Sequence, residues 1–141
     1  MDTVRRLSAY ALPLSLAGIA IAIHGFGEIG LTALRYQRDV IAAGEFWRLV
    51  TGHFVHLNGA HLMGNLLGLG VIWLLVGPAL VARDASVILL GAVVGCDLGL
   101  WFLHPTLNWY AGLSGVLHGL LLGGALAVTK QQLWLGVGVM V

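Results

Sequence analysis

The chain has 141 residues, 59% of them hydrophobic and only 9% charged, with a mean hydropathy of +0.94. Soluble domains carry about 25% charged residues, so the composition is that of an integral membrane protein. A net charge of +1 with no basic stripe excludes nucleic acid as a partner, and the single Cys96 excludes an internal disulfide and a thiolate metal site.

Five apolar stretches are predicted. Arg5 and Arg6 precede the first, residues 7–26. No small-x-small cleavage site follows it, so it reads as an uncleaved span rather than a removed signal. Residues 27–60 mix Leu31, Leu34, Tyr36, Val40 and Ile41 with Arg35, Arg38 and Asp39. That segment reads equally as an amphipathic helix lying in the interface or as ordinary extramembrane loop structure. The second stretch covers residues 62–82, the third 87–103 and the fourth 113–128. Thr129-Lys130-Gln131-Gln132 then marks a return to water. A fifth stretch begins near Leu133 and stops at Val141, far short of the ~20 residues a span needs.

Lys and Arg set the orientation. With a cytoplasmic N-terminus, Arg5, Arg6, Arg83 and Lys130 share one side, and the segments 27–60 and 104–112 share the other. Arg35, Arg38 and Arg48 run against that rule. Gly91, Gly95 and Gly99 in the third stretch, and Gly115, Gly119 and Gly123 in the fourth, each make a smooth face for close backbone approach.

Gly112-Leu113-Ser114-Gly115 opens the fourth stretch. A hydroxyl is costly in an apolar setting unless it is hydrogen-bonded. The stretch is about 24 Å long at 1.5 Å per residue, against a hydrocarbon core of about 30 Å. With its far end at one surface, Ser114 lies several ångströms below the other, as a candidate nucleophile. His53, His56, His61 and Asn65 cluster around the start of the second stretch, and His61 and Asn65, four apart, share a helix face. They read as interfacial polar groups, as metal ligands or as donors to an oxyanion. No carboxylate neighbours them and no HExxH pattern occurs, and a serine on another helix favours the third reading. Asp97 is a buried charge whose structural role is preferred, orienting a histidine or tying down a neighbouring backbone. Trp101, Trp109 and Tyr110 read as interfacial anchors.

Trp47-Arg48 before the second stretch, the His56/His61/Asn65 group opening it and Gly112-Leu113-Ser114-Gly115 opening the fourth follow in that order. The set resembles the rhomboid family of intramembrane serine proteases over residues 45–128. Leu113-Ser114-Gly115-Val116-Leu117-His118-Gly119 with Thr51-Gly52-His53-Phe54-Val55-His56-Leu57-Asn58 is most similar to the rhombosortase branch. The resemblance implies an all-α polytopic transmembrane helix bundle: four spans plus part of a fifth of a six-span core. Residues 1–141 then form a single rhomboid-like membrane domain lacking its last span or spans.

The same resemblance implies roles. Ser114 is the nucleophile, and His61 and Asn65, with the Ser114 backbone N–H, stabilise the oxyanion. Gly112 lets the loop approach the substrate and Gly115 supports the turn. Trp47-Arg48 is a structural motif of the first extramembrane loop, and His56 holds that loop and keeps the cavity polar. The family's general base, a histidine on the sixth span, is absent from the chain. His118 stands where many relatives have a tyrosine stacked on that histidine. Packing or hydrogen bonding to another helix is preferred for it over service as a substitute base.

The implied activity is a serine endopeptidase with no metal and no cofactor, cleaving in or near the transmembrane segment of a membrane-anchored substrate. The rhombosortase likeness implies removal of C-terminal glycine-rich sorting helices. It also implies a multi-pass protein of the bacterial inner membrane with its site toward the periplasm. Two alternatives stand beside it: a catalytically inactive relative that binds transmembrane helices, and a small histidine-lined metal or proton conduit.

Overall fold

The computed structural model describes residues 3–139, with side chains described for residues 10–130 and for Gln132. The first helix, α1 (Thr3–His24), breaks at Gly25-Phe26, and α2 (Gly27–Leu34) leaves at 112° to it. Gly27 takes φ +57° at the corner, a left-handed conformation that glycine adopts without strain. The chain then works across the end of the bundle in short pieces. These are β1 (Tyr36–Gln37), α3 (Arg38–Ala42), α4 (Arg48–Thr51) and a 3₁₀ turn, Gly52–Phe54. Segment 27–60 is therefore broken loop structure and not one amphipathic helix. Tyr36, Ile41, Val55 and Arg48 turn into the protein, while Ile29, Phe46 and Val50 stay exposed.

Asn58 opens α5 (Gly59–Val76) from an extended conformation, its side-chain oxygen accepting the His61 N–H at 2.9 Å. That bond satisfies one of the four unpaired donors of the first turn. A 3₁₀ turn, Gly77–Ala79, leads to α6 (Ala82–Leu98), which widens into a π-helical turn at Gly99–Leu103. A two-residue strand, β2 (Trp109–Tyr110), pairs antiparallel with β1, Tyr36 opposite Tyr110 and Gln37 opposite Trp109. The last element is α7 (Ser114–Val139).

The helix does not stop at Thr129-Lys130-Gln131-Gln132, where the sequence reading separates a fourth stretch from a fifth. Lys and Gln are good helix formers and no Gly or Pro interrupts them. The drop in hydropathy there marks polarity along one continuous helix.

Two helical segments, Gly59–Ala79 and Ala82–Leu103, are long and apolar enough to cross a membrane, and the bent pair Tyr10–His24 and Gly27–Leu34 makes a third if counted as one span. Ser114–Lys130 is apolar but shorter. Leu67, Val71, Leu74, Leu90, Leu122 and Leu126 face outward, as a bundle solvated by acyl chains requires. The core lies where α1, α5 and α7 meet, built from Leu16, Ala20, Leu62, Leu69, Leu113, Val116, Leu117 and Leu120.

The third partner, α6, lies along the glycine face of α7. A β-carbon at Gly115 would stand 2.5 Å from Cys96 Sγ, one at Gly123 2.6 Å from Ile88 Cγ2, and one at Gly119 would collide with Ala92. The backbones approach because those β-carbons are missing. The second glycine series behaves otherwise. Gly91, Gly95 and Gly99 have nothing within 4 Å of their β-positions among the described residues. They do not make the α6–α7 contact; Ile88, Ala92 and Cys96 do.

Candidate active site

Two loops are stitched together beneath the start of α7. Besides the β1–β2 pair, the Gly112 N–H donates to Gly52 O at 3.0 Å. Gly52 has no room for a side chain, since Tyr36 N lies 2.6 Å from its β-position. Arg38 reinforces the seam. Its guanidinium donates to the carbonyls of Leu100 (2.6 Å), Trp101 (3.1 Å), His104 (3.0 Å) and Leu107 (3.3 Å). These are carbonyls at and beyond the π-turn that ends α6, where a helix leaves acceptors unpaired. Arg38 also stacks over Trp101 at 4.7 Å and Arg35 over Trp109 at 5.2 Å. Arg48, nearly buried, donates to Glu45 Oε2 (2.6 Å) and to Thr32 O and Arg35 O (3.0 Å each). Trp47 beside it is half-exposed. The three arginines that run against the charge rule are thus tied into the protein, Arg48 within its own loop and Arg35 and Arg38 across to residues 100–109.

Gly112 has φ +124°, a conformation open to glycine and strained for other residues. The turn it makes drops Leu113 into the core and delivers Ser114 as the first residue of α7. It also brings α5 against the loop. A β-carbon on Gly112 would lie 2.7 Å from His61 Cε1, 2.8 Å from His61 Nε2 and 3.5 Å from Asn65 Nδ2. His61 and Asn65 therefore sit over the backbone two residues before Ser114. His61 Nδ1 accepts the Leu57 N–H at 3.4 Å. In the neutral ring the hydrogen accordingly lies on Nε2, the atom that faces Gly112. Asn65 Nδ2 gives one hydrogen to His61 O at 3.3 Å and keeps a second.

The other histidines separate. His56 is buried, donates from Nδ1 to Phe54 O at 3.1 Å and lies edge-on to His61 with ring centres 5.1 Å apart. Burial lowers its pKa from 6.5 to about 4; the neighbouring His61 and, more weakly, His24 push the same way, against the Phe54 carbonyl. His53 turns away to Asp97, Nε2 to Oδ1 3.2 Å. His53, His56 and His61 thus do not converge on one point, and among the described residues no group of three His, Cys, Asp or Glu side chains is placed to hold a metal ion. His118 is exposed, and its Nδ1 donates to the Ser114 backbone carbonyl at 2.7 Å. Its lean toward the helix N-terminus ends on the carbonyl and not on the hydroxyl.

The partner of the Ser114 hydroxyl is a residue the sequence reading assigned to the interface. Tyr110 Oη lies 3.3 Å from Ser114 Oγ, donates to Gly112 O at 2.7 Å and accepts the Gly115 N–H at 3.1 Å. The one sequence signal was its position four residues before Ser114, across a Gly-containing turn.

Residues 43–141, well over half the chain, match the model of the Rhomboid domain. The chain belongs to the rhomboid family. A search of curated proteins finds no match. The rhomboid match carries the chain into a family of intramembrane serine proteases, in keeping with its apolar spans. It encloses Ser114, His61, Asn65, Gly112, His56 and the Trp47-Arg48 pair. In this rhomboid, the loop between the first two long helices, the start of α5 and the start of α7 gather at one end of the bundle, and the serine stands among them.

Proposed function

We propose that this protein is a serine endopeptidase that cleaves a peptide bond in or near the transmembrane segment of a membrane-anchored protein. The observation that carries the reading is the turn at Gly112, which sets His61 Nε2 and Asn65 Nδ2 against the backbone that leads into Ser114. Ser114 Oγ attacks the substrate carbonyl carbon, and its proton passes to a histidine that the family likeness puts on a later span. The carbonyl oxygen becomes an oxyanion. His61 Nε2–H, the free Asn65 hydrogen and the Ser114 N–H are the donors within reach of it, at the positive end of the α7 dipole. The Gly115 N–H is already taken by Tyr110. Collapse expels the amine, which takes the proton from that histidine, and water then hydrolyses the serine ester. His56 stays uncharged above about pH 4, so it adds no positive charge beside His61.

The motifs around Thr51–Asn58 and Leu113–Gly119 support the rhombosortase branch. The substrate is then a protein carrying a C-terminal glycine-rich sorting helix, released on the periplasmic side of a bacterial inner membrane. Residues 1–141 act as one membrane domain in this reading. Co-expression with a reporter that carries such a helix tests it. Release of the reporter, abolished by Ser114→Ala, is expected.

A second reading, a helix-binding relative without hydrolysis, draws on one observation: among the described residues no histidine nitrogen bonds Ser114 Oγ. Reporter that is retained by the protein and never cut favours it.

A further inference from the structure

Tyr110 is held from every side at the one place where its oxygen touches the serine turn. A phenol hydroxyl has one proton and two lone pairs. Gly112 O can only accept, and it takes the proton at 2.7 Å. Gly115 N can only donate, and it takes one lone pair at 3.1 Å. Ser114 Oγ, at 3.3 Å, meets the lone pair that remains, which the weakly donating Cys96 thiol also approaches, so in its contact with Tyr110 the serine is the donor. We propose that Tyr110 is the positioning residue of the nucleophile: it accepts the Ser114 hydroxyl proton and so fixes the serine rotamer, while bracing the turn from which the serine projects. This inference rests on Ser114 being the nucleophile.

The tyrosine is itself fixed. Its backbone pairs with Tyr36 in the two-stranded ladder. Its ring meets the buried His53 ring edge-on, centres 5.9 Å apart, and Asp97 of α6 pins His53 at 3.2 Å. The first loop, the third long helix and the serine turn thus converge on one ring. Burial pushes the phenol pKa up, so at neutral pH Tyr110 is an uncharged acceptor that holds the proton's direction without removing it. The 3.3 Å contact is long for an O–H···O bond, so a base can take the proton from this parked position.

The test has two arms in the full chain. Capture of Ser114 by a fluorophosphonate, in which the serine oxygen displaces fluoride at phosphorus, is followed at several reagent concentrations. Tyr110→Phe is expected to slow the first-order capture step about tenfold, the equivalent of one hydrogen bond, with reversible binding of the reagent unchanged. The second arm needs no reactivity. The chain has three tyrosines, Tyr10, Tyr36 and Tyr110. With ¹³Cζ-tyrosine the Tyr110 resonance is identified from Tyr10→Phe and Tyr36→Phe. Ser114→Ala is expected to move it and leave the other two in place. A Tyr110 resonance indifferent to Ser114→Ala overturns the proposal. So does a folded Tyr110→Phe protein captured at the wild-type rate. A wild-type chain that resists the reagent counts against the nucleophile reading, and the resonance then decides alone whether the contact exists.

Discussion

Gly112 answers two demands with one absent methyl group. Its φ of +124° and its closeness to His61 Nε2 both forbid a β-carbon. Gly112→Ala is expected to cost about 1–3 kcal/mol in backbone strain and to push His61 away from the serine, with fluorophosphonate capture falling well below wild type. Gly64→Ala, at a position with nothing within 4 Å, leaves capture intact. His56 makes a pH-dependent prediction. Its folded pKa of about 4 lies below the ordinary 6.5, so between those values the unfolded chain binds a proton that the folded chain refuses. Stability is full above pH 6.5 and declines as the pH falls toward 4. Thermal unfolding in detergent across that window shows the slope, and His56→Gln flattens it.

At this scale the nearness of His61 and Asn65 to the Ser114 turn was legible in part, because a helix start and a four-residue spacing are local facts. Tyr110 and His53 were not. Tyr110 meets Ser114 only after Gly112 reverses the chain, and the partner of His53 is Asp97, on another helix. An aromatic near a membrane surface reads as an anchor until a fold shows where its oxygen goes.

The helices pose a different question, which glycines matter. Only the α7 series faces a neighbour. Gly119→Leu is expected to destabilise by about 1–3 kcal/mol through overpacking against Ala92, whereas Gly95→Leu, in open space, changes melting little. A matched pair of thermal unfolding curves decides it. Glycine spacing announced close packing in both helices, but the angle between helices, which spacing does not encode, chose the row of β-carbons that fills the gap. Helix ends were misread for a related reason. Hydropathy registers where polarity changes along a chain, while α7 continues through Thr129–Gln132 because those residues are compatible with helical geometry.

For the whole molecule, apolar composition announced a membrane bundle and the order of motifs announced its family. The broken path of residues 27–60 was hidden, because short helices and a two-residue strand carry no periodicity. Yet that loop sets the site, through Gly52 O on Gly112 N and Arg38 on the end of α6. The central claim is that a serine at one end of this bundle is a nucleophile backed by donors from a separate helix. Fluorophosphonate capture in native membranes, with the adduct mapped by mass spectrometry, tests it most directly. The account predicts an adduct on Ser114, lost in Ser114→Ala and formed about a hundredfold more slowly in Asn65→Ala. An adduct on another residue, or capture at Ser114 that is indifferent to both His61→Ala and Asn65→Ala, would contradict it.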